Sequence, residues 1–518
     1  MRKGGPTRAF RGAFPAFSLA VAVGAILACP RGFSVRSKTV GVSVPYELAS
    51  LDPHRRDWLG AFALLSNVYE PLVTTDASMA VKPCLAARWD NPDAKTWVFH
   101  LEPRARFHSG RPLEAEDVVA TFARLRETPG LDMARYADNV AEVRALDAKT
   151  VVLRTRRPTA LLLGDLRFLC VIPRGATEEK LARSADGTGP YRLAAPPEKG
   201  IVRFVRSRTY WGPPPPLEDV TFRLARSAQE ANDDLLSGRS DLVQIGSRAL
   251  GDALMGRADV MTQRQSSVFV KYLGCDATRP ATPFCDLKPN PFTKKDVRRA
   301  VSLALDRRAL VEKLSTYAAP ADQLVPPFIF GYHQSLAPPR YDPAEARRLL
   351  AAAGYPGGFD VTLHVRQILA ETAEAIRGML LGVGIRARIA SLPDGEFFDT
   401  AEKTGLTFFV TRRGCTTGDA SMFFEFALHS FVEAKGLGGS NLARFSDPDL
   451  DRKIEHATEI FDMAERRRLL EEIEAQGMDD LAWIPLYVDQ DFFAFKRSLT
   501  YTPRLDSYVL ASDIAPVK

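Results

Sequence analysis

Two adjacent arginines, Arg412 and Arg413, stand where polar side chains crowd the end of an apolar run. The stretch is 405–428, GLTFFVTRRGCTTGDASMFFEFAL. Residues 406–410 read as a buried strand. Arg412, Arg413, Gly414, Cys415, Thr416, Thr417 and Asp419 follow as a loop, and then an aromatic cluster. Polar groups at the exit of a buried strand are where α/β proteins place ligands. A guanidinium grips a carboxylate or phosphate through two parallel hydrogen bonds. The pair therefore points to an anionic or carboxylated solute; a solvated pair of arginines is the plain alternative. Reaction chemistry finds no such footing. No H-E-x-x-H, G-x-S-x-G or Walker loop occurs. The seven histidines, at 54, 100, 108, 333, 364, 429 and 456, are scattered. No C-x-x-C occurs, which argues against a structural zinc site. The stretch reads as the floor of a binding cleft, with no catalytic group, metal or cofactor expected.

The elements that must position this floor follow from pattern. Residues 40–44 form a first strand, and 59–69 an apolar helix. Residues 97–101 alternate as a strand does. A helix begins near Ala115, with Val118, Val119, Phe122 and Leu125 on one face. Residues 151–153 are a further strand. Gly187 and Gly189 precede Pro190 in a tight turn. No G-x-G-x-x-G spacing follows, so a plain loop is favoured over a phosphate cradle. Pro213 to Pro216 form a stiff connector. Residues 220–224 are a strand, and 228–237 a helix ended by Gly238.

After about residue 266 the character changes. Thr293 and Asp296 suit a helix start, with Val297, Val301, Ala304, Leu305 and Val311 repeating at helical spacing. Asp342, Pro343 and Glu345 place a cap, a first-turn proline and an N3 acid in order. Gly354 suits the end of that helix. Residues 359–365, 371–381 and 385–389 make one β-α-β unit, which predicts a parallel strand pair. Helices follow from Asp447-Pro448 and over 464–476, and residues 484–488 are a late strand.

A chain of 518 residues needs two or three domains. It is 46% hydrophobic and 25% charged, as soluble globular proteins are. Much of the net charge of +6 lies in the first 28 residues, where Arg2, Lys3, Arg8 and Arg11 meet no acid. The rest gives no argument for nucleic acid. Those four cations precede an apolar run over 13–28, shorter than the roughly 20 residues of a spanning helix. The run ends in Ile26-Leu27-Ala28-Cys29, which resembles a bacterial lipobox with a slight departure at Leu27. Export with a lipid on Cys29 is the expectation; plain cleaved export and an uncleaved anchor stay open. Cys84, Cys170, Cys275, Cys285 and Cys415 remain, an odd count that leaves at least one free thiol. Cys275 and Cys285 flank a proline-containing loop and are the disulfide candidates, against the alternative of two buried thiols.

Read in order, the segments resemble family 5 extracellular solute-binding proteins, the oligopeptide- and dipeptide-binding type of bacterial ABC importers. They are SLDPH, YEPLV, WVFHLEPRARFHSGRPLEAEDVVATFARL, GTGPYRL, YWGPPPPLEDVTFRL and LLSGRSDLV, then DVRRAVSLALDRRALVE, LLAAAGYPGGFDVTLHV, GGSNLARFSDPDLD and IPLY. Any one is weak, but the ordered set covers nearly the whole chain beyond the export segment.

The resemblance implies an α/β, two-lobed periplasmic-binding-protein fold with mixed sheets and a hinge between the lobes. Its first lobe would take 29–82 and 186–266 and return over 483–518. The extra subdomain would take 83–185, and the second lobe 267–482. It implies a peptide or small-molecule ligand held between closing lobes, delivery to an ABC permease and ATPase complex, and a monomer. The location would be the periplasm or the outer side of the cell membrane. No membrane contact is expected beyond the lipid anchor. A ligand-sensing surface lipoprotein not dedicated to transport is the alternative.

In peptide-binding relatives an aspartate in the loop after the strand near 410 pairs with the peptide's α-amino group. That position is Thr416 or Thr417 here, so the acid is absent and free-amine peptides are in doubt. Asp419 would either substitute or shape the loop, as it does in relatives. Relatives often carry an aromatic wall where Arg412 and Arg413 stand. Glu47 lies where relatives touch ligand from the first lobe, although a charged residue at a strand end is also ordinary. Tyr46, Tyr69 and Trp211 read as packing residues.

Overall fold

Two long strands, Val260–Cys275 and Trp483–Lys496, run antiparallel through the middle of an eleven-stranded mixed sheet. The computed structural model describes residues 39–56 and 59–517. The expected export segment and Cys29 lie outside the described residues. Among those described, no helix is long and apolar enough to cross a membrane.

Each long strand serves two neighbourhoods. The half of Trp483–Lys496 around Phe493 pairs with Leu242–Gln244. That short strand leads on to Thr39–Val44, Asp219–Leu224, Ile201–Arg206 and Tyr191–Leu193. The Phe269–Cys275 end of the other long strand pairs with Phe408–Gly414, which continues to Phe359–Arg366 and Ile385–Leu392. Between the two neighbourhoods the pairing of the long strands slips twice, between Ser266 and Val270 and between Lys271 and Tyr272. Extra residues in one strand bend a ladder and raise its twist.

The period-2 alternation of strands fills a separate core on each face. Leu273, Phe408, Val410, Ile484 and Leu486 enter one core with Val297, Val361 and Ile376. Tyr272, Phe409 and Trp483, one residue out of step, enter another with Phe423 and Leu470. Val42, Phe222, Leu242 and Phe493 belong to a third. That third core also gathers the helix Ala115–Glu127 and the four-stranded sheet spanning residues 86–155. The molecule is thus a mixed α/β protein of two lobes joined through two shared strands.

Local signals map onto these elements with instructive exceptions. Asp342 caps Pro343–Ala352 by accepting from the Glu345 amide at 3.0 Å, and Gly354 has φ +96°. Strands 359–366 and 385–392 pair in parallel, Phe359 against Ile385. A side chain at Gly187 would lie 1.9 Å from the Val68 carbonyl oxygen, so the glycine turn serves backbone packing. Thr293 does not cap a helix. It ends a short 3-10 turn capped by Asn290, and the α-helix runs Lys295–Leu303. The strand expected to stop at 410 runs on to Gly414, so Arg412 and Arg413 sit on a strand and not in a loop.

The disulfide expected between Cys275 and Cys285 is absent, and both thiols are free. Cys275 packs in the apolar core instead, where burial pushes its thiol up to about 12. The loop between them is closed by polar groups. Asp276 accepts from Arg279 and from the Thr282 hydroxyl at 2.9 Å. Asn290 donates to the Asp276 carbonyl at 2.8 Å.

Candidate functional site

A cavity of about 370 Å³ opens beside the end of strand Phe408–Gly414. Phe62, Arg135, Tyr136, Phe168 and Tyr508 line it from the side of the core that holds Val42 and Phe222. Phe269, Arg366, Phe398, Arg412, Arg413, Gly414, Thr416, Met422, Phe423 and Phe426 complete the wall. Four guanidiniums line it, and no carboxylate does.

Pairing with the central strand sets the arginines. Arg412 stands opposite Lys271 and Arg413 opposite Val270, so the two side chains leave opposite faces. The Arg412 guanidinium lies 4.2 Å from the centroid of the Phe269 ring, where it forms no hydrogen bond with the described residues. Gly414 permits this arrangement, since a Cβ there would be 2.5 Å from the same ring. Among the described residues Arg413 reaches only the Ser440 carbonyl, at 3.5 Å, and its Nε is shielded from solvent without an acceptor. Burial, with Arg366 nearby, pulls its proton affinity down to about 10. Arg366 is held by Asp394 at 2.9 Å, and Arg135 donates to the Tyr136 hydroxyl at 2.8 Å. A buried cation lacking an anion is costly, so the cavity is electrostatically incomplete.

A second cavity of about 350 Å³ shares Leu59, Phe269 and Arg412 with the first. Its other walls include Tyr46, Glu47, Gln244, Ser267, Asp489, Asp491 and Ser507. Its carboxylates give it the opposite sign. Lys271 donates to both oxygens of Asp489, and burial lowers the lysine to about 8 against that pairing. Asp491 accepts from Gln244 at 3.0 Å, and burial raises its carboxyl to about 6.

The residues singled out by sequence divide. Arg412, Arg413, Gly414 and Thr416 line the first cavity, and Glu47 lines the second with Arg412. Thr417 and Asp419 line neither. Asp419 accepts from Arg466 at 2.6 and 2.9 Å and from the Ser421 amide at 2.9 Å, which makes it a builder of the turn. The Thr416 carbonyl accepts from Arg167 at 2.9 Å. Tyr46 donates to the Ser507 carbonyl and Trp211 to Glu70, each at 2.9 Å. No cluster of metal-ligating side chains exists among the described residues. Sequence reasoning passed over Arg135, Arg366, Gln244, Asp489 and Asp491. The last two continue the alternation of Ile484-Pro485-Leu486-Tyr487-Val488, and following it further would have found them.

Comparison with known proteins follows this geometry. The family described as bacterial extracellular solute-binding proteins, family 5 middle, matches residues 80–434. The glutathione-binding protein GsiB of Escherichia coli K12 is 27% identical over 500 residues, covering 93% of this chain and 94% of the relative. HbpA2 of Haemophilus parasuis superposes with a TM-score of 0.81 at 21% identity, covering 93% of this chain and 100% of that one. DppA of Helicobacter pylori, an ABC transporter-associated periplasmic binding protein in complex with the peptide STSA, gives 0.77 at 20% identity, covering 93% and 98%. At these identities the two structures speak for the fold alone.

Proposed function

Because this chain belongs to the bacterial extracellular solute-binding proteins of family 5, solute carriers for ABC importers and not enzymes, we propose that it captures a small anionic, peptide-like solute between its lobes. The observation that carries this reading is the lining of the first cavity: four guanidiniums, no carboxylate, and an Arg413 Nε without an acceptor. A carboxylate entering there meets bidentate donors and relieves an uncompensated buried charge. The aromatic rings around it supply apolar contact, as small-molecule sites do. GsiB is named for glutathione, a small peptide with two carboxylates. A solute of that kind suits this lining.

The lobes divide near residues 266 and 482 in this reading, and the slipped pairing between Ser266 and Val270 acts as the hinge. Ligand contacts with both lobes drive closure. The sequence Ile26-Leu27-Ala28-Cys29 supports export with a lipid on Cys29 as the only membrane attachment. The carrier acts as a monomer and delivers its solute to a permease and ATPase complex.

The test replaces Arg412 and Arg413 together by alanine. The solute released from wild-type protein is identified by native mass spectrometry, and calorimetry with that solute and with glutathione follows. The double variant should bind at least about tenfold more weakly, about 1.4 kcal/mol. Unchanged affinity removes the reading.

A further inference from the structure

We propose that the second cavity is a cation subsite, in which Asp491 and Gln244 receive a protonated nitrogen of the solute whose carboxylate lies against Arg412 and Arg413. The inference rests on the anion reading above and adds the other end of the ligand, making it a zwitterion of defined orientation.

Gln244 is only 8% exposed, at the end of strand Leu242–Gln244. Its Nε2 donates to Asp491 Oδ1 at 3.0 Å. That bond fixes the amide, because the flipped form would set two acceptors against each other. The consequence is that Gln244 Oε1 has no donor among the described residues, and no donor meets Asp491 Oδ2 in good geometry, the Ser507 hydroxyl standing beside that carboxylate. On the wall of one cavity these two shielded acceptors have only the Ser507 hydroxyl nearby, and its single proton, shared with Ser267, cannot serve both. An ammonium brings three donors and the matching charge.

The surrounding charges agree. Lys271 occupies Asp489, so that acid is already balanced. Asp491 has no lysine of its own, and Glu47 forms no ion pair with the described residues. Ser267 and Ser507 bond each other at 3.0 Å. Arg412 and Phe269 form the partition between the two cavities. The carboxylates of the cavity do not converge as metal ligands do. A protonated nitrogen therefore fits better than an inorganic ion. The acid missing at Thr416 and Thr417 is thereby replaced from the opposite wall, by a residue of the crossing strand.

The experiment incubates the exported protein, stripped of passenger, with a random tripeptide mixture and with the same mixture after exhaustive N-acetylation. Retained peptides are quantified by native mass spectrometry. Wild-type protein should favour the free-amine mixture by about tenfold or more, as expected for a charge-assisted bond. Asp491→Asn should abolish that preference and still retain acetylated peptides, which shows that the variant is folded. Equal retention of both mixtures by the wild type overturns the cation subsite and leaves the anion reading standing. Retention of neither overturns both, and a preference that survives in D491N overturns the role of Asp491.

Discussion

The guanidinium of Arg167 donates from Nη1 to the carbonyl oxygen of Thr416 at 2.9 Å, which ties the segment beside Phe168 to the turn at the cavity. The same side chain reaches Asp506 at 3.3 Å and lies over the Phe168 ring at 4.8 Å. Phe168 and Thr416 both line the cavity. The contact is therefore a latch across the wall of the cavity.

Arg167→Met should loosen that latch without emptying the core. Asp506 keeps Arg504, at 2.7 and 2.9 Å. Removing a hydrogen bond from a charged donor costs about 1.5–3 kcal/mol. Solute dissociation, followed by stopped-flow fluorescence, should be faster by about tenfold or more. An unchanged off-rate means the contact plays no part in closure.

Arg413→Met should separate stability from binding. The buried cation costs the empty protein free energy, because its Nε finds no acceptor and its only carbonyl contact is long. Methionine fills similar space without charge. The empty variant should be more stable by about 1 kcal/mol in urea unfolding, as when buried charges give way to apolar groups. Its solute affinity should fall. A variant that is both less stable and unimpaired in binding contradicts the assignment.

Glu474 sets a pH dependence of stability. It is fully buried; one oxygen accepts from the Leu324 amide at 2.6 Å and the other has no donor. Burial raises its carboxyl to about 8. The folded state therefore holds a proton that the unfolded chain releases near the ordinary carboxylate range. This contribution to stability is whole at low pH and is lost as pH rises towards 8. Glu474→Gln should match wild type in thermal unfolding at about pH 5 and exceed it at about pH 9. Equal melting at both values would show that the carboxyl titrates normally.

The sequence made legible whatever depends on neighbours along the chain. The Asp342 cap, the glycine at 354 and the alternation over 359–365 each act within a few residues, and each is where it was read. Arg412, Arg413, Gly414 and Thr416, which line one cavity, could be singled out because they stand within five residues of one another. The strand Val260–Cys275 was not read, since Thr262, Gln263, Arg264, Gln265 and Ser266 are polar and carry no apolar alternation. They form a strand because Trp483–Lys496 offers its backbone. The pairing of Gln244 with Asp491 could not be read, because the two are 247 residues apart in the chain. The Cys275–Cys285 expectation failed because loop length says nothing of which way a strand's last side chain points.

The sharing of Trp483–Lys496 between lobes has a consequence for how the chain matures. Leu242–Gln244 takes its antiparallel partner from residues 493–495, and Val260–Cys275 pairs along most of its length with the same strand. The sheet is complete only when Trp483–Lys496, near the carboxyl end, has joined Leu242–Gln244 and Val260–Cys275. Loss of residues 483–496 would strip one neighbour from Leu242–Gln244 and one from Val260–Cys275, so a truncation at the carboxyl end damages both neighbourhoods of the sheet at once.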